Sequence, residues 1–189
     1  MARPPGADPA RSLDFLRALD DLATRFGGEL PALARAVPGL DATVLDLPAV
    51  EPVLRERHPE LAFVPGDLDD PRFGRSPGER WDAVLLANVL HDHPPARCQA
   101  IVATAAGLLA PGGTLLVYEW VLDETGDSPP TVALFDLMML VENEGGAAWT
   151  AARLSAWLEA AGLTGVELRR GAGPIAVLRA STPSAAGGG

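Results

Sequence analysis

The spacing of apolar residues predicts an alternation of helices and strands along most of the chain. Residues 12–26 and 29–37 have the period of an amphipathic helix, whereas residues 42–47 form a short apolar run of strand length. Further helices are predicted at 48–58, 95–109, 132–141 and 150–161, and further strands at 61–64, 82–90, 114–121, 166–169 and 175–180. Such alternation favours an α/β fold with a mostly parallel sheet and helices on both faces. The last two strands are expected to form an antiparallel edge.

The length of 189 residues is that of a single domain with a sizeable core. Residues 1–11 are rich in proline and glycine, and we expect them to be disordered. The domain is then expected to span residues 12–180, with a disordered tail at 181–189.

The charge, the cysteine content and the apolar runs of the chain each exclude some classes of partner or site. A net charge of −10 argues against a nucleic acid or an anionic membrane, because phosphate binding needs clustered Lys and Arg. The only cysteine, Cys98, excludes an internal disulfide and lies among apolar helix positions, which favours a buried inert thiol over a nucleophile. No apolar run reaches the roughly 18 residues of a membrane span, and the N-terminus does not resemble a signal peptide. We therefore expect a soluble cytoplasmic protein.

Two carboxylates follow predicted neighbouring strands. Asp46 ends the strand at 42–47, and Asp67 comes just after the strand at 61–64. A parallel sheet places both at one edge, where a carboxylate can accept hydrogen bonds from a ribose diol or an adenine amino group. Turn formation or helix capping explains either residue alone equally well. Together they favour a ligand that contains a nucleoside.

A histidine ends the apolar run of the strand at 82–90. A neutral imidazole at His91 can take a proton from a hydroxyl near pH 7, although a histidine before a helix is often structural. Asp92 can cap the next helix or orient the ring. Glu119 lies inside an apolar strand and needs a partner, which the His91 imidazole on the neighbouring strand can provide. No further His or Cys cluster supplies metal ligands, so we expect no metal site.

Several motifs in one order carry a family resemblance. Residues 27–180 resemble the S-adenosylmethionine-dependent O-methyltransferases of the plant caffeate and bacterial polyketide-tailoring type, which have a Rossmann-like fold. The matching motifs are VPGL at 37–40, TVLDLP at 43–48, FVPGD at 63–67, LLANVLHD at 85–92, PGGTLLVYE at 111–119, DLMML at 136–140 and the glycine pair at 145–146.

The resemblance implies a role for each matching position. His91 corresponds to the general base that deprotonates the acceptor hydroxyl, with Asp92 beside it and Glu119 as a flanking glutamate. The positions that correspond to the cofactor site are Gly27, Asp46, Leu47, Gly66, Asp67 and Leu68. The positions that correspond to the acceptor pocket are Asp136, Met138 and Met139. The implied reaction is in-line transfer of a methyl group from a sulfonium to an activated oxygen.

The chain departs from the family pattern in three places. The glycine-rich cofactor loop corresponds to residues 21–27, where the early glycines are replaced and the pattern favours a helix, so the first central strand of the sheet is doubtful. The family's N-terminal dimerisation domain, which covers the acceptor pocket, is expected to be absent. Ala148 stands at the position of the second flanking glutamate, and His93 at that of a tryptophan.

Two hypotheses follow. The first is an O-methyltransferase domain that acts on a small aromatic or polyketide-type hydroxyl. The second is a degenerate paralogue that does not methylate and acts as an auxiliary or partner-binding protein in secondary metabolism. Apolar surface exposed by the missing domain predicts a homodimer or association with a partner methyltransferase.

Overall fold

The computed structural model describes residues 36–68, 70, 80–171 and 173–184. These residues fall into two compact units, one that ends before Arg80 and one that begins there, and each is described by itself. The segments outside the described residues include the helix predicted at 12–26, the glycine-loop window with Gly27, most of the helix predicted at 29–37, and residues 71–79.

The first unit contains a pair of parallel strands joined by a helix. Strand β1 (Thr43–Asp46) leads through a 3-10 turn into helix α1 (Glu51–Arg57), and strand β2 (Ala62–Pro65) follows. The two strands pair in parallel, from Thr43 opposite Ala62 to Asp46 opposite Pro65. The Arg55 guanidinium donates a hydrogen bond of 3.0 Å to the Leu61 carbonyl and so ties α1 to the start of β2. The predicted strand–helix–strand order of this region is confirmed.

The second unit is built around one mixed sheet. Strands β3 and β4 pair in parallel, β7 runs antiparallel to β4, and β6 runs antiparallel to β7. A short strand, β5, pairs in parallel with the end of β4. The elements, in chain order, are β3 (Trp81–Ala87), α2 (Pro95–Leu108), β4 (Leu109–Leu122), α3 (Pro130–Glu142), β5 (Trp149–Thr150), α4 (Ala151–Ala160), β6 (Thr164–Arg170) and β7 (Ile175–Ser181). The predicted antiparallel C-terminal edge is confirmed.

Strand β4 is the centre of the core. Its consecutive residues from Leu115 to Tyr118 are all buried, which requires cover on both faces of the strand. The predicted apolar face of α2, which includes Cys98 and Ile101, is also buried. Thr150 caps α4 as predicted, because its hydroxyl accepts a hydrogen bond from the Arg153 amide. The expectation of helices on both faces of the sheet therefore holds.

Two boundaries differ from the sequence prediction. Strand β3 ends at Ala87, three residues before the predicted end at residue 90, because Asn88 adopts a left-handed conformation with a φ of 54°. At the other end of the chain, β7 includes Ser181, and the Thr182 hydroxyl donates a hydrogen bond of 2.7 Å to the Ala110 carbonyl. Strand β7 and its hydrogen bonds thus extend one to two residues past residue 180, where we expected the domain to end.

Helix α3 is apolar on both of its sides. One side contributes Val132, Phe135 and Met139 to a buried cluster with Leu122 and Ala148. The other side is exposed, up to 86% for Val141. The remaining large apolar residues on this exposed side are Leu134, Leu137, Met138 and Leu140. Among the residues that the structure describes, no helix is long and apolar enough to cross a membrane.

Candidate active site

His91 lies in a 3-10 turn, Leu90–Asp92, rather than at the end of a strand. The Asn88 amide still donates to the Tyr118 carbonyl of β4, after which the left-handed conformation of Asn88 turns the chain. The amides of Val89 and Leu90 then donate hydrogen bonds of 2.9 and 2.8 Å to Glu119 Oε1. We call Leu90–Asp92 the His91 turn.

Glu119 and His91 form a buried pair. Glu119 Oε2 lies 2.8 Å from His91 Nδ1, and the two residues are only 1% and 8% exposed. Since a carboxylate can only accept, Nδ1 carries a hydrogen and the neutral ring has its lone pair on Nε2. The hydrogen bond expected between Glu119 and His91 is therefore present, and it selects the tautomer in which Nε2 can accept a proton.

The surroundings of His91 act on its pKa in opposite directions. Burial lowers the pKa of His91, because it disfavours the charged ring. The hydrogen bond and negative charge of Glu119, with a smaller contribution from Asp92, outweigh burial and raise the pKa above its ordinary value. His91 is thus a stronger base than a free histidine.

Asp92 is held beside the other ring nitrogen. Its Oδ1 lies 3.6 Å from His91 Nε2 and accepts a hydrogen bond of 2.7 Å from Asn143 Nδ2. The sequence left open whether Asp92 caps the next helix or orients the ring. The N-cap of α2 is Pro94, and no side-chain hydrogen bond caps the helix there among the described residues, while the 3.6 Å between Asp92 and His91 Nε2 is too long for a hydrogen bond. Both roles of Asp92 therefore stay predictions.

In the first unit, Asp46 and Asp67 follow neighbouring parallel strands. Asp46 is the last residue of β1, and its Oδ1 accepts a hydrogen bond of 2.7 Å from the Leu47 amide. The Gly66 amide donates to the Asp46 carbonyl and continues the ladder between β1 and β2. The parallel register thus brings Asp46 and the segment Gly66–Asp67–Leu68 to one edge of this sheet.

Comparison with known proteins identifies the family. Residues 9–164 match the model of the O-methyltransferase domain family. The chain belongs to this family. Acetylserotonin O-methyltransferase of Mus musculus is 34% identical over 188 residues, and the match covers 94% of this chain and 47% of the mouse protein. The tetracenomycin polyketide synthesis 8-O-methyl transferase of Streptomyces glaucescens is 32% identical, with 82% and 46% covered.

A solved structure agrees with this assignment. Human N-acetylserotonin methyltransferase in complex with S-adenosylmethionine superimposes with a TM-score of 0.73 at 26% identity, over 93% of this chain and 53% of the human chain. The chain spans about half the length of the curated relatives that it matches.

The glycine pair Gly145–Gly146 packs against Pro94 and the His91 turn. A Cβ at Gly146 would lie 2.6 Å from the His91 carbonyl oxygen and 2.8 Å from Asn143 Cβ, closer than atoms approach without a shift. The Ala147 amide donates a hydrogen bond of 2.9 Å to the same His91 carbonyl. The glycine at position 146 is therefore required by close approach of two backbone segments.

Aromatic side chains beside His91 were missed by the sequence analysis. Phe135 meets the His91 ring edge to face at a centroid distance of 4.9 Å, and Trp120 stacks on Phe135 at 4.4 Å. The available signal was that Trp120 follows Glu119 and that Phe135 precedes the Asp136–Met139 motif. The Phe135 and Trp120 rings thus form an aromatic wall beside the imidazole.

The residues predicted for the acceptor pocket lie in different surroundings. Met139 is 4% exposed within the buried cluster, whereas Met138 is 45% exposed on the opposite side of α3. Asp136 accepts a hydrogen bond of 2.7 Å from the Ala148 amide, so it holds the segment that follows the glycine pair. Ala148 itself is buried and brings no carboxylate to the position of the second glutamate.

Cys98 is buried, as predicted. Burial, together with the negative charge of Glu119, raises the pKa of its thiol to about 12. Its Sγ donates to the carbonyls of Leu90 and His93 at 3.1 and 3.3 Å. Among the described residues no group of three or more His, Cys, Asp or Glu side chains is arranged to hold a metal ion.

Proposed function

We propose that this domain transfers a methyl group from S-adenosylmethionine to a hydroxyl of a small molecule, with His91 as the general base. The observation that carries the proposal is the buried hydrogen bond of 2.8 Å between Glu119 Oε2 and His91 Nδ1. This hydrogen bond leaves the lone pair of the neutral ring on Nε2, so Nε2 can accept the proton of a hydroxyl. Family membership and the names of the relatives support the reaction type.

The proposed step at His91 is proton transfer. Nε2 takes the proton of the acceptor hydroxyl, and the positive charge that forms on the ring is stabilised by the Glu119 carboxylate. S-Adenosylmethionine, when bound, would supply a methyl group on a sulfonium, for which the ionised oxygen would be the acceptor. The raised pKa of His91 favours retention of the proton, and the low exposure of the pair strengthens their attraction.

The residues of the first unit fit the cofactor chemically. The Asp46 carboxylate at the end of β1 suits a ribose diol. The adjacent Leu47 side chain is 49% exposed and offers an apolar surface to an adenine ring. Asp67 is exposed at the end of β2 and suits an adenine amino group. We therefore assign the cofactor to Asp46, Leu47, Gly66, Asp67 and Leu68, with Gly27 assigned from the family resemblance.

The proposed acceptor is a small aromatic or polyketide-type molecule. Phe135 and Trp120 provide the aromatic wall beside His91. The predicted pocket residues on α3 are Asp136, Met138 and Met139, of which Met139 lies in the buried cluster. The relatives named for acetylserotonin and for 3-hydroxy-5-methyl-1-naphthoate suggest two acceptors for a first assay. The exposed side of α3 supports the proposal that a second copy of the chain associates with this domain.

Two measurements test the proposal. Isothermal titration with S-adenosylmethionine and with S-adenosylhomocysteine is expected to show binding, and radiolabelled methyl transfer is measured with N-acetylserotonin and the naphthoate. His91→Gln is expected to retain cofactor binding and to lose methyl transfer. Cofactor binding without transfer to any phenolic acceptor would contradict the proposed reaction, and equal transfer by the parent and His91→Gln would contradict the role of His91.

The alternative proposal is a paralogue that does not methylate. It is favoured by Ala148, which leaves the position of the second glutamate without a charged group. This alternative predicts no heat of binding in titrations with millimolar S-adenosylmethionine or S-adenosylhomocysteine. It also predicts that a His91→Ala strain retains the auxiliary phenotype. Co-purification with a full-length methyltransferase would support a partner-binding role, whereas cofactor binding with turnover would exclude it.

A further inference from the structure

The carbonyl of Leu90 accepts hydrogen bonds from two side chains, one of them distant in sequence. Trp149 Nε1 donates to this oxygen at 2.9 Å, and Cys98 Sγ donates at 3.1 Å. The Leu90 amide donates to Glu119 Oε1 at 2.8 Å. Both ends of residue 90, immediately before His91, are therefore hydrogen-bonded to side chains.

We propose that Trp149 is a positioning residue, which holds the His91 turn against Glu119 through the Leu90 carbonyl. This inference rests on the proposed role of His91 as a base. The indole N–H is a full hydrogen-bond donor with a fixed direction, whereas the Cys98 thiol is a weak donor that it shares with the His93 carbonyl. Trp149 is thus the stronger of the two attachments.

The attachment is rigid because Trp149 is fixed by its own neighbours. It belongs to β5 and pairs with Val121 of β4, the strand that carries Glu119. Its ring also packs edge to face on Trp157 of α4, with a centroid distance of 5.2 Å. The indole therefore links the His91 turn to the strand on which the partner of His91 stands.

Loss of this hydrogen bond is expected to free the turn while leaving its apolar packing in place. Within the described part of the chain, the charged groups that act on His91 are Glu119 on β4 and Asp92 on the turn. A longer distance between His91 Nδ1 and Glu119 weakens the interaction that favours the charged ring. Burial then has a larger relative effect, so the pKa of His91 falls.

Trp149→Phe tests the inference, because it keeps an aromatic ring and removes the N–H donor. The matched control is Trp81→Phe, since Trp81 Nε1 is buried without a hydrogen-bond partner among the described residues. The readouts are the titration of His91 by NMR of histidine ring nitrogens, assigned with His91→Gln, and kcat and KM for methyl transfer.

For Trp149→Phe we expect a lower pKa of His91 and a fall in kcat of about fivefold, the effect of one lost hydrogen bond, with KM for S-adenosylmethionine nearly unchanged. Trp81→Phe is expected to change neither. An unchanged His91 titration in Trp149→Phe, or the same change in both variants, would overturn the inference. The titration needs no turnover, so an inactive parent refutes the proposed function and still leaves the positioning role measurable.

A second variant covers the case in which Trp149→Phe does not fold. Incorporation of β-(3-benzothienyl)alanine at position 149 replaces the N–H by sulfur and preserves the shape of the ring. The same fall in the pKa of His91 is expected, and an unchanged titration in this variant would equally overturn the inference.

Discussion

Glu119→Gln removes one charge from the centre of the candidate site with little change of shape. Glu119 accepts hydrogen bonds from the amides of Val89, Leu90 and Trp120 as well as from His91 Nδ1. The glutamine oxygen can continue to accept from Val89 and Leu90. Its NH₂ group then faces His91 Nδ1, which has to become an acceptor. The hydrogen of the neutral ring moves to Nε2, where it blocks proton uptake from an acceptor hydroxyl.

The expected size of the effect follows from these contacts. A positioned general base contributes about 10²–10⁴ in rate, so we expect kcat to fall by about 100-fold or more. Hydrogen bonds to a charged group contribute about 1.5–3 kcal/mol each and neutral ones about 0.5–1.5, so the free energy of unfolding is expected to fall by about 1–2 kcal/mol. The domain should therefore remain folded while activity is lost.

The assay compares methyl transfer, cofactor binding and the His91 tautomer in the same preparations. Glu167→Gln is the control, because Glu167 is exposed on β6 and its nearest ion-pair partner is Arg179 at 4.0 Å. Glu119→Gln is expected to bind S-adenosylmethionine as the parent does, and to show the Nε2–H tautomer by NMR. A kcat within twofold of the parent, or retention of the Nδ1–H tautomer, would refute the reasoning.

Three further results are expected. Folding raises the pKa of His91 above about 6.5, its value in the unfolded chain. The pairing of His91 with Glu119 therefore stabilises the domain fully below about pH 6.5, and this stabilisation is lost as the pH rises through the folded pKa. Denaturant unfolding of the parent and His91→Gln should thus differ most at low pH, and a difference that grows with pH would be evidence against the pair. Gly146→Ala forces the His91 carbonyl to move and should destabilise the domain by about 1–3 kcal/mol, with loss of activity; thermal unfolding at the parent's temperature would contradict this. Asp46→Asn should weaken binding of S-adenosylmethionine about tenfold by titration, whereas the exposed Asp41→Asn should not, and equal affinities would remove Asp46 from the cofactor site.

Much of the fold was predictable because it depends on neighbours in the chain. The helix and strand periods are local, and an apolar strand flanked by glycine and proline turns has few alternatives. Glu119 was also recognisable from sequence, since a carboxylate among buried residues needs a partner. The local pattern did not reveal the left-handed Asn88, which ends β3 early and creates the His91 turn.

The sequence by itself therefore determined the order of the elements, the strand-end carboxylates, and the residue types able to act as base and partner. Only the tertiary structure decided how His91 is held. Asn143 reaches Asp92 across 51 positions, and Trp149 reaches Leu90 across 59. These contacts depend on how β5 pairs with β4 and how the glycine pair packs on the turn, and no local pattern encodes that register. The physical reason is that hydrophobic periodicity specifies which face is buried, whereas packing specifies which buried groups meet.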